Sequence, residues 1–161
     1  MNVLNRFLTF LAFIVLPQLC MADNLQFTGT LLTGPPCVIN SGRLISVSFG
    51  DVQTSLIDGT YKTLTIPYTL DCAGAGTNLV RMQVSGNGAS FADSVLAIPG
   101  NPEVGIRLLK DGSRLALNTW ADFNTSKKPL LEAVLAPKYT SGSTVKAGAF
   151  SASATLMVDY R

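Results

Sequence analysis

A chain of 161 residues, 47% hydrophobic and only 14% charged, with a formal net charge of +2, suits one domain whose surface is largely covered by something else. It contains no histidine, which excludes a Ser-His-Asp triad, a Cys-His dyad and His-ligated zinc. Its 12 Lys and Arg stand against 10 Asp and Glu without a basic run, so the dense positive stripe that a nucleic-acid partner requires is missing.

The first segment carries one charge, Arg6, then an apolar run from Phe7 to Leu16 and a polar exit through Pro17 and Gln18. That order is the pattern of a secretory leader. Ala22, with Cys20 two places before it, approximates an A-x-A cleavage site, so residues 1–22 are expected to be removed. A membrane anchor is the alternative, but the uncharged stretch falls short of the roughly 20 residues that cross a bilayer. A lipoprotein needs a small residue where Leu19 stands. Beyond the leader the cysteines are Cys37 and Cys72, and two cysteines in an exported chain imply one disulfide.

Leu25, Phe27, Gly29 and Leu31 then alternate with Gln26, Thr28 and Thr30, ahead of Gly34-Pro35-Pro36. The segment is either the first strand of its own domain or a strand made for insertion into another subunit's sheet, where Gly29 leaves room for close approach. Further strands are expected at Cys37–Asn40 and Leu44–Val52. Leu64, Ile66, Tyr68, Leu70 and Cys72 alternate with polar residues, as do Val80, Met82 and Val84. Val104, Ile106 and Leu108 lead into Asp111-Gly112, a hairpin turn, after which Leu115 and Leu117 resume the alternation. Leu130–Ala136 is read as a strand, although its apolar run also fits a short helix. The last segment is the most regular, with Phe150, Ala152, Ala154, Leu156, Val158 and Tyr160 on one face. Every convincing periodicity is two, and turn signals at Gly74–Gly76, Gly86–Gly88, Pro99–Pro102 and Ser141–Ser143 separate the strands, so the fold is expected to be an all-β sandwich.

Weaker signals resolve into structure. Gly74-Ala75-Gly76 lacks the third glycine and the helix of a dinucleotide loop, because Leu79 stands where that glycine belongs. Asn124-Thr125-Ser126 is a sequon short enough to arise by chance. The aspartates form no dense oxygen cluster of a calcium loop. Trp120 with Phe123 reads either as an exposed platform or as packing at a strand end. No catalytic residue, metal site or cofactor is expected, and no small-molecule substrate.

Taken together, the leader, the alternating extension, Cys37 just after it, Cys72 at a strand end and the closing segment from Gly148 to Arg161 resemble the chaperone-usher fimbrial subunit family. Gly148 and Tyr160 stand where that family has a glycine fourteenth from the end and a penultimate tyrosine. Asn24–Leu31 and Gly105–Leu109 are most similar to the minor tip pilins of P-type pili.

The resemblance implies an incomplete immunoglobulin-like sandwich, six strands plus an N-terminal donor strand, with one disulfide. Its parts are residues 1–22 as leader, 23–36 as donor-strand extension and 37–161 as pilin domain. It assigns Leu25, Phe27, Gly29 and Leu31 to the donor face. Gly148, Phe150, Ala152, Ala154, Leu156, Val158, Tyr160 and Arg161 become the acceptor groove and chaperone contact, with Arg161's carboxylate held by the chaperone. The implied partners are a periplasmic pilus chaperone, an outer-membrane usher and neighbouring pilins, on a route through the periplasm to the surface fimbria of a Gram-negative bacterium. A minor or adaptor pilin is the first expectation. A major shaft pilin and a ligand-binding adhesin are the alternatives, and an enzyme is not expected.

Overall fold

The computed structural model describes residues 26–29, 37–73, 77–139 and 145–161. The leader, Leu25 and Leu31 of the donor face, Gly34-Pro35-Pro36 and the turns at Gly74–Gly76 and Ser141–Ser143 lie outside the described residues. The chain divides into two units, Met1–Leu32 and Thr33–Arg161. In the first, Gln26–Gly29 form neither helix nor ladder and are exposed.

The second unit is all-β apart from short 3-10 turns at Asn40–Gly42 and Thr54–Leu56. Its strands are β1 (Val38–Ile39), β2 (Leu64–Thr65), β3 (Leu70–Asp71), β4 (Leu79–Ser85), β5 (Gly88–Ala89) and β6 (Ala92–Ala97). They continue with β7 (Val104–Lys110), β8 (Ser113–Leu115), β9 (Ala121–Asn124), β10 (Leu131–Pro137) and β11 (Thr155–Tyr160). One sheet runs β2-β10-β7-β6-β5, with β8 also paired to β7; a second runs β11-β4-β9; β1 and β3 pair with each other. The sheets do not close on one another.

Alternation does what period two requires. In β4, Met82 and Val84 are buried in one cluster with Leu96, Ile106 and Leu108 of the facing sheet and Val80 on the same face is fully buried, while Leu79 and Arg81 point outward. β10 departs from alternation because it is covered on both faces: Leu131, Ala133 and Leu135 join the main core and Ala136 packs with Ala89 and Val95 behind it. That double burial produced the continuous apolar run in the sequence. Asp111 (φ 51°) and Gly112 (φ 76°) make the expected two-residue turn between β7 and β8.

Three segments differ from the expected strands. The alternating run around Leu64–Cys72 breaks at Pro67, which has no N–H to donate, and the chain passes from β10's sheet to β1. Between them Tyr68 is buried and its hydroxyl donates to the Pro129 carbonyl at 2.6 Å. Leu44–Val52 forms no ladder. The final strand begins only at Thr155, opposite Ser85, because the chain turns at Gly86, whose N–H and C=O bond to the Asn118 side chain at 3.1 and 3.0 Å. The disulfide joins Cys37 to Cys72 beside the β1–β3 pair.

Candidate functional site

The segment Arg43–Phe49 is one lip of an open groove. Ile45, Val47 and Phe49 are half-buried and alternate with exposed Ser46 and Ser48, so the segment has the geometry of a strand that lacks a neighbour. Ala152, Ala154 and Leu156 form the opposite lip. Between them lies a cavity of about 440 Å³ whose floor includes Val84, Leu96, Ile106, Leu108 and Ala133. β11 is the edge of its sheet, paired to β4 on one side, and no ladder among the described residues joins it to Arg43–Phe49.

Burial records the same gap. Val80 and Met82, further along β4, are 0% exposed, whereas Val84 retains 7% and Ile106 8% beneath the groove. Among the described residues Arg43 is the one charged residue lining it, so the groove is mainly apolar and offers hydrogen-bonding backbone along its lips, which is what an extended segment needs.

At one end the groove is pinched. The rings of Phe49 and Phe150, one from each lip, lie 6.0 Å apart and tilted at 45°. Past them is a smaller cavity of about 80 Å³ lined by Val52, Ile57, Ile98, Leu135, Gly148 and Phe150. Gly148 has φ 145°, a conformation that side chains rarely adopt. Val158 packs into the core beyond the groove, and Tyr160 is half-buried in β11 opposite Val80.

The sequence model of the family described as fimbrial protein matches residues 25–161. This chain belongs to that family. The subunit is 36% identical over 147 residues to the uncharacterized fimbrial-like protein YfcQ of Escherichia coli K12, covering 86% of this chain and 88% of YfcQ. It is 35% identical over 131 residues to YfcR of the same strain, covering 79% and 74%. Among solved structures, the P pilus adaptor subunit PapF matches with a TM-score of 0.59 at 22% identity, over 80% of this chain and 98% of that one. The P pilus rod subunit PapA matches with a TM-score of 0.60 at 21% identity, over 86% and 100%. The fold is therefore the immunoglobulin-like fold of pilins, and the chain is a chaperone-usher fimbrial subunit exported to the cell-surface pilus of a Gram-negative bacterium. Subunits of this family polymerise with one another.

On the outer face of the subunit's three-stranded sheet, exposed ion pairs link β11 to β4 and the residue after β11 to β9. Arg81 bonds Asp159 at 2.6 Å, and Arg161 bonds Asp122 at 2.5 Å. The hydrogen bond from Arg81 holds the Asp159 carboxyl below its ordinary range. Arg81 also lies over the Trp120 ring, 4.6 Å from its centroid. Trp120 faces outward while Phe123 packs toward the core, so the two aromatics form no common platform. Among the described residues no cluster of three or more Cys, Asp or Glu could hold a metal.

Phe27, on the expected donor face, is 86% exposed, and Gly29 has nothing within 4 Å of the position a Cβ would take. Sequence reasoning missed the Arg43–Phe49 lip as a site element. Its alternation was legible, but an alternating segment looks the same whether or not a neighbour pairs with it.

Proposed function

We propose that this subunit polymerises by donor-strand exchange, with the groove between Arg43–Phe49 and Ala152–Leu156 accepting the extension of a neighbouring subunit. The observation that carries this is the apolar groove between two extended segments that no ladder among the described residues joins. An added strand supplies backbone hydrogen bonds to both lips, and alternate side chains enter the groove. Leu25, Phe27, Gly29 and Leu31 are the donor face that this chain presents in turn to the next subunit. Before assembly the open apolar groove with its unpaired lips is an aggregation hazard, and a periplasmic chaperone covers it, with Arg161's carboxylate at the contact and the outer-membrane usher receiving the complex.

The subunit's role is to link and space, without catalysis. Its position is that of a minor or adaptor pilin, a reading supported by the likeness of Asn24–Leu31 and Gly105–Leu109 to minor tip pilins.

The test is thermal unfolding of the exported chain, at low protein concentration, with and without a peptide of residues 23–33. A stabilisation of a few kcal/mol, a rise of roughly 10 °C, is expected with the native peptide, and none with its Gly29→Arg form. Stabilisation by its own peptide favours a subunit that repeats, and indifference both to donor-strand peptides and to a periplasmic pilus chaperone overturns the reading.

A further inference from the structure

We propose that Lys62 fixes the width of the pinch between Phe49 and Phe150, and so makes this subunit select a glycine at the point where an incoming strand passes. The inference rests on the donor-strand reading above. Lys62 sits at φ 53° at the end of a turn ordered by Asp58, whose carboxylate accepts from the Thr60 N–H at 2.7 Å, the Thr60 hydroxyl at 2.9 Å and the Tyr61 N–H at 2.8 Å. From that fixed base its ammonium reaches across and donates to the carbonyl of Phe49 at 3.1 Å and to that of Asp51. Those carbonyls flank Gly50, at φ 58°, where the lip ends. The lip is thus tied down at the residue whose ring faces Phe150. The other cation near this turn, Arg107, bonds Gly59 instead.

The consequence for an incoming strand is steric. A strand running antiparallel to the 148–156 segment with Gly29 beside Phe150 places Phe27 beside Ala152, Leu25 beside Ala154 and Leu31 beside Gly148. The large donor residues then meet the small wall residues, Leu31 reaches the end cavity, and the residue without a Cβ passes the aromatic pair. Without Lys62 the Phe49 and Asp51 carbonyls lose their shared charged donor, the lip is free to shift, and a side chain at position 29 is tolerated.

The experiment measures binding of two labelled peptides of residues 23–33, native and Gly29→Ala, to the exported chain and to its Lys62→Met, Lys62→Gln and Lys62→Arg forms. The native protein is expected to favour the glycine peptide by about tenfold or more. Lys62→Met and Lys62→Gln are expected to bring that ratio to within about threefold, chiefly through tighter binding of the alanine peptide, while Lys62→Arg keeps it. A merely structural lysine weakens both peptides alike, so an unchanged ratio in whichever of the Met and Gln forms folds overturns the role of Lys62 and leaves donor-strand binding standing. Binding of neither peptide to the native protein overturns this inference, and refusal of a periplasmic pilus chaperone as well overturns the donor-strand reading.

Discussion

β4 and the 150–156 segment carry the same kind of sequence and meet opposite fates. Val80 and Met82 alternate with polar residues, have β9 and β11 on either side and the facing sheet above, and are 0% exposed. Ala152 and Ala154 alternate as regularly and face the same interior, yet Ala154 remains exposed, because among the described residues no strand lies between it and the Arg43–Phe49 lip. Alternation determines which face of a strand is apolar; burial depends on a neighbour that the strand itself does not specify. In this subunit the deficit lies along that edge, while Val80 and Met82 of β4 are packed as in an ordinary core.

The sharpest blow to the packed region is the largest in energy. Replacing both Cys37 and Cys72 by Ser removes the link that holds β1 to β3, and is expected to cost about 4 kcal/mol in urea unfolding under oxidising conditions. A cost near zero would mean that the packed half does not depend on its covalent tie.

Tyr68 probes the same half more finely. Burial, aided by the charge of Asp111, pushes its hydroxyl up to about 12 from an ordinary 10.0. The folded state thus favours the neutral phenol, and this contribution is intact below pH 10.0 and lost as the pH rises toward 12. Tyr68→Phe is expected to cost about 1 kcal/mol at neutral pH, since the Pro129 carbonyl loses its donor, and to flatten the alkaline loss of stability. An unaltered alkaline limb would show that other groups govern it.

The smallest expected change in stability lies on the open edge. Ala154→Leu adds apolar bulk where nothing covers it, so unfolding should move by no more than about 0.5 kcal/mol. The same substitution should abolish binding of the 23–33 peptide by filling the groove. A large stability change with peptide binding intact would break the contrast between the two regions.

What the sequence by itself determined is local. Period two in Val80–Val84 and in Phe150–Tyr160 set the faces, Asp111-Gly112 set a hairpin because those residues accept positive φ, and Cys37 with Cys72 announced a disulfide. Each depends on neighbours within a few residues or on the compartment. Only the tertiary structure decided that Leu44–Val52 joins no strand ladder among the described residues, that the run at Pro67 crosses between sheets, that pairing of the last strand stops at Thr155, and that Phe49 meets Phe150. Those are outcomes of hydrogen-bonded pairing between segments far apart in the chain, and an unpaired edge is the absence of such a pairing, which no periodicity encodes.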